Sequence, residues 1–154
     1  MRRIAVIRIR GRVGVSPDIK RTLELLNLKR KYNCVIVKDV PSILGMLKKV
    51  ENYVTWGEID RETMEALLRK RGRIGKKRLS DELMKERTGK NISQIVEDFM
   101  QFKCELRDFG IKEVFRLAPP SGGFERKGIK QPFKVGGALG YRGVKINELL
   151  RRMI

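Results

Sequence analysis

The chain is predicted to fold as an α+β protein. A small sheet with helices on one face, in the order strand-helix-strand-helix-strand, occupies residues 1–59. A mainly helical extension occupies residues 60–154. Two observations carry this prediction. Up to residue 59, short apolar runs of strand character alternate with capped segments of helical periodicity. Beyond it, helical stripes and Gly-rich basic loops take over.

RIAVIRIR, residues 3–10, reads as the first strand. Ala5, Ile7 and Ile9 share one face, and Ile4, Val6, Arg8 and Arg10 share the other. After the GRVG loop, Ser16 caps a helix, Pro17 suits its first position and Asp18 complements its dipole. Ile19, Leu23 and Leu26 form its stripe, and it should stop near Asn27. CVIVKD reads as a buried strand. Val40-Pro41-Ser42 opens a second helix with Ile43, Leu44, Leu47 and Val50 inward. Gly45 inside it costs about 1 kcal/mol relative to Ala, so packing is expected to demand a small residue there. YVTWGEI, residues 53–59, is the third strand, with Trp56 as a packing residue.

In the extension, Asp60 caps a helix, RETMEALLRK, that ends before Gly72. Ser80 to Arg87 is a short helix stopped by Gly89. In ISQIVEDFMQF, the residues Ile92, Ile95, Val96, Phe99 and Phe102 recur at helical spacing and read as core. VFRLAPP is a strand ended by two prolines. SGGFERKGIKQPFKVGGALGYRG is a long Gly-rich, basic loop region, and such loops in a compact domain usually have a job. GVKINELLRRMI closes as an amphipathic helix with Ile146, Leu149 and Leu150 inward.

With 41% hydrophobic residues the 154-residue chain can build a core. Its 36 Lys and Arg against 18 Asp and Glu give a net charge of +18. Such an excess repels itself in a compact state, and a polyanionic partner is the usual reason to carry it. No apolar run approaches the ~20 residues of a spanning helix. Arg8, Arg10 and Arg12 interrupt the N-terminal stretch before a leader's apolar region forms. The expected location is the cytoplasm, with no membrane partner.

Histidine is absent, which removes Ser-His-Asp and Cys-His nucleophile pairs and His-containing metal sites. Cys34 and Cys104 lie far apart, outside any CxxC, and read as reduced core residues. Neither GxGxxG nor GxxxxGK[ST] occurs. Acidic pairs such as Asp81-Glu82 fit exposed helix faces, and none stands out as the centre of a metal-dependent nuclease. No catalytic residue, metal, cofactor or small-molecule substrate is therefore expected.

RKRGRIGKKR, Arg69 to Arg78, holds seven basic residues in ten and no acid. Arg69, Lys70 and Arg71 fall on a helix C-terminus, where cations complement the dipole. Arg73, Lys76, Lys77 and Arg78 have no such role and are expected in a loop. Two further segments are basic. Arg10, Arg12, Lys20, Arg21, Lys29, Arg30 and Lys31 surround the first sheet, and Arg126, Lys127, Lys130 and Lys134 sit in the Gly-rich region. These three sets are the candidate RNA-binding residues. Basic loops suit RNA, which is read largely by backbone and shape. No ordered aromatic platform for single strands is present.

The residues resemble a known family, the universal large-subunit ribosomal protein called L thirty, whose eukaryotic member is called L seven. Thr22, Leu23, Leu26, Leu28, Arg30, Asn33, Val35, Met46, Leu47, Val50, Tyr53 and Val54 fit its spaced signature without a gap. FRLAPPSGGFERK looks like its C-terminal Gly-rich block, and GGALGYRGVKINELLRRMI like its closing helix. A C-terminal extension without a long basic N-terminal arm looks archaeal. The resemblance implies a ferredoxin-like sheet and a structural role in the large ribosomal subunit. It also implies contact with large-subunit ribosomal RNA near the small RNA of that subunit, neighbouring ribosomal proteins as partners, and no catalysis. A non-ribosomal RNA or DNA chaperone or chromatin-type protein is the alternative reading.

Overall fold

The computed structural model describes residues 2–154. Strand β1 (Arg3–Arg8) lies at the centre of a five-stranded sheet ordered β6-β2-β1-β3-β7. Its antiparallel neighbours are β2 (Asn33–Lys38) and β3 (Val54–Glu58). The outer strands come from the extension. β6 (Val114–Arg116) pairs antiparallel with β2, and β7 (Gly140–Tyr141) pairs parallel with β3. Residues 1–59 and 60–154 thus share one sheet.

Period-two alternation splits β1 between two cores. Ile4 and Val6 pack with Val35, Val54 and Trp56 beneath helices α1 (Pro17–Leu25) and α2 (Pro41–Lys49). Ala5 and Ile7 pack on the opposite face, beneath α3 (Arg61–Arg71), α5 (Ile92–Met100) and α6 (Ile146–Met153). The expected pair of helices does lie on one face. The extension then covers the other, which is why β1 is apolar on both.

Local chemistry sets the helix ends. Ser16, Asp60, Ser80 and Asn91 each accept from a first-turn amide of their helix. Helix α4 (Asp81–Thr88) stops at Gly89, which takes φ 74°.

Several details depart from expectation. β1 ends at Arg8 rather than Arg10 because Ile9 and Arg10 both donate to the Tyr53 carbonyl. Arg8, on the face that alternation shares among Ile4, Val6 and Arg10, is buried. Leu44 is exposed because α2 rests on Leu47 and Val50. Phe102 leaves the α5 helix at φ 62°. The basic run is a hairpin rather than a loop, formed by β4 (Arg73–Ile74) and β5 (Lys77–Arg78). Gly75, at φ 60°, supplies the first position of its two-residue turn, as a type II′ turn requires. Ile74 and Leu79 anchor it in the core. The Gly-rich region is ordered by its own buried cluster, Ile9 with Ala138 and Leu139.

Gly45 faces open space, contrary to the expected packing demand. Gly57 is the opposite case, since a Cβ there would collide with the Gly143 carbonyl. We expect Gly45→Ala to raise stability by about 1 kcal/mol and Gly57→Ala to lower it by about 1–3 kcal/mol. Urea unfolding of the two variants beside the parent chain checks both signs.

Candidate nucleic-acid interface

Three buried arginines act as struts within the fold, and two of them, Arg8 and Arg142, tie segments that carry exposed cations. Arg8 donates to the carbonyls of Arg10, Leu28 and Gly11, at 3.0, 2.7 and 3.3 Å. It therefore ties the loop after β1 to the loop before β2. Burial, and then the Arg12 guanidinium, hold it below the ordinary arginine range. Arg142 donates to Thr55 Oγ1, to the Ala138 carbonyl and to Glu125, and its guanidinium lies 4.7 Å from the Phe133 ring centroid. It ties the Gly-rich region to β3. Arg3 reaches the carbonyls of Phe99 and Cys104 and the carboxylate of Glu105, and lies 3.7 Å from the Phe99 ring centroid.

The candidate cations form three basic clusters, of which Arg8 and Arg142 support the first and the last. Arg12, Lys20 and Lys29 line a cleft of about 230 Å³ with Arg8, Val15 and Glu24. Arg10 lies back over Tyr53 and donates to the Asn52 carbonyl. Arg21, Arg30 and Lys31 are exposed beside them. Arg126, Lys127, Lys130 and Lys134 are exposed around the Gly-rich region. Phe124, two residues before Arg126, stacks on Tyr32, the residue after Lys31, with centroids 6.3 Å apart. These first and last clusters therefore adjoin.

The middle cluster is the most concentrated. A cleft of about 610 Å³ is walled by Lys70 and Arg71 at the end of α3, and by Arg73, Lys76 and Arg78 of the hairpin. Lys112 and Arg116 complete the walls, Val114 and Ile154 also line it, and no carboxylate side chain does. Lys112 N–H donates to the Arg73 carbonyl at 2.9 Å, and the Arg78 guanidinium to the Lys70 carbonyl at 3.3 Å, which hold the walls together. Gly72 lets the chain turn back, since a Cβ there would meet Leu79 and the Leu68 carbonyl. Lys77 is exposed on the same hairpin.

Lys112 and Arg116 are additions to the sequence reading. The signal was present in KEVFR, where alternation turns Phe115 inward and sets Lys112, Val114 and Arg116 together on the other side.

Arg69 departs from its set. It bridges Glu65 and Asp81 and donates to Ser93, joining α3, α4 and α5. Of the eighteen candidate cations, the other seventeen form no ion pair among the described residues.

An α+β scaffold that presents unpaired cations from tied loops has the character of a nucleic-acid-binding protein. Comparison with known proteins gives the family. The family model described as ribosomal protein L30p/L7e matches residues 4–54. The large ribosomal subunit protein uL30 of Methanococcus maripaludis is 50% identical over 151 residues, covering 97% of this chain and 98% of that one. The uL30 of Methanopyrus kandleri is 48% identical over 149 residues, covering 95% and 100%. That of Nanoarchaeum equitans is 48% identical over 151 residues, covering 97% of each. The chain belongs to the L30p/L7e family of ribosomal proteins.

The network around Arg69 generates two predictions. Arg69→Ala should lower stability by no more than about 1 kcal/mol, since the pairs are partly exposed. It should leave the salt dependence of RNA binding unchanged, because Arg69 is already neutralised. Denaturant melts and binding isotherms on one preparation test this. The second concerns pH. The Ser93 hydroxyl, joined by Arg69, holds Glu65 below the usual carboxylate range. The Ile92 amide and then Arg69 hold Asp81 low. Burial pushes Glu105 up, but hydrogen bonds from Arg3 and Lys38 outweigh it. A depressed folded value gives stability that is present above the unfolded carboxylate range and is lost as pH falls through the folded one. Thermal midpoints should hold from neutrality to about pH 5 and fall below about pH 4. Asp81→Asn should make the acid-side fall shallower.

Proposed function

We propose that the chain is a structural constituent of the large ribosomal subunit that binds and clamps large-subunit ribosomal RNA through its basic loops, without catalysis. The observation that carries this is that seventeen candidate cations form no ion pair among the described residues, on a fold whose buried Arg3 and Arg142 are both paired with carboxylates. Archaeal relatives named as large-subunit proteins support the same reading. Phosphates would neutralise these cations and displace condensed counterions, so affinity should fall steeply with salt. The struts hold the loops at fixed spacing, so segments distant in the RNA sequence can be held together. Ribosomal RNA and neighbouring ribosomal proteins in the cytoplasm are the partners, in a place near the small RNA of the subunit.

Replacing Arg73, Lys76, Lys77 and Arg78 together by Glu should leave the fold intact and sharply reduce incorporation. Sedimentation of a lysate expressing tagged parent and variant chains checks it. The parent should travel in the large-subunit peak and leave it after RNase, while the variant stays near the top. A parent chain that never enters the peak would instead indicate a non-ribosomal nucleic-acid-binding protein.

A further inference from the structure

We infer that the cleft between the hairpin and β6 takes a sharply turned RNA strand, one whose phosphates converge, rather than the side of a continuous duplex. The inference rests on the RNA-binding reading above and specifies its ligand.

The cleft is concave and cationic on three walls, which come from the end of α3, the hairpin and the β6 segment. The 2.9 Å bond from Lys112 to the Arg73 carbonyl joins two of those walls through the backbone and favours their concave arrangement over a flat one. A duplex carries its phosphates on a convex exterior, strung along two strands. It can touch the lip of such a site but cannot face three walls at once. A bulge or tight turn crowds phosphates together, and their mutual repulsion is relieved by cations on several sides. Unpaired segments are also the part of RNA most open to proteins.

The rest of the lining offers no aromatic platform for bases. Val114, Gly75 and Ile154 supply no aromatic ring for stacking and no acidic side chain. Seven convergent cations address first the path of the phosphate backbone. The hairpin was selected from sequence as a run of charge. Its selectivity depends on Lys112 and Arg116, which lie more than thirty residues later in the chain.

The test compares two RNAs of equal length, an uninterrupted hairpin duplex and the same stem with a short unpaired bulge. Filter binding across a KCl series gives dissociation constants for the full-length protein, for Lys112→Gln/Arg116→Gln and for Lys20→Gln/Lys29→Gln. Circular dichroism melts establish that each is folded. The parent should bind the bulged RNA about tenfold more tightly, and the β6-side variant should lose that preference. The variant's salt slope on the bulged RNA should fall by about 1.5–2, the equivalent of two phosphates. The Lys20/Lys29 variant should weaken both RNAs alike. Equal affinity of the parent for the two RNAs, or equal losses on both for the β6-side variant, would overturn this assignment while leaving RNA binding in place. Failure to bind either RNA would remove the functional reading as well.

Discussion

Everything in this fold follows from the burial of β1 on both faces. All six of its residues are buried, so the sheet needs a layer on each side. Helices α1 and α2 supply one layer, and α3, α5 and α6 supply the other. The two layers use different chemistry. The first is a small aliphatic core with Trp56 at its margin. The second is larger and carries Phe99 and Phe115. Because the second layer is made by the extension, the hairpin and the closing helix are held against the same central strand as the first loops. That shared strand gives the basic clusters fixed positions.

A protein of charge +18 must keep a set of its cations free of its own carboxylates if they are to serve a polyanion. The fold does so by dividing labour among arginines. Arg3, Arg8 and Arg142 are buried and spend their donors on carbonyls and a few carboxylates. Taking a guanidinium out of water is costly unless its hydrogen bonds are met, and here each reaches several acceptors. The carboxylates cluster around structural joints, as where Glu65 and Asp81 meet Arg69 between three helices. The seventeen other candidate cations are left without an ion pair among the described residues.

Much of this was legible in the sequence. The caps at Ser16, Asp60 and Ser80, the α5 stripe and the strand alternation follow from local rules that the structure obeys. What could not be read depends on distant partners. Arg8 has the same chemistry as Arg10, and only the loop before β2 decides that one is a strut and the other lies at the surface. Arg69 looked like part of a free run until α4 and α5 brought Asp81 and Ser93 against it. The hairpin escaped notice because two-residue strands carry no periodicity. Gly45 was misjudged because sequence shows a glycine's cost but not the space around it.

The strand order also bears on how the protein is made. Both sheet edges, β6 and β7, come from the last third of the chain and pair with strands near its start. At a synthesis rate of ~5–20 residues per second, the first three strands wait roughly 5–20 s for the segments that close their edges. During that interval the free edges of β2 and β3, and the Ala5–Ile7 face, are open to another chain. Pairings this distant in sequence also form slowly. The nascent chain therefore passes through a vulnerable stage in which a companion, whether chaperone or RNA, would shorten its exposure.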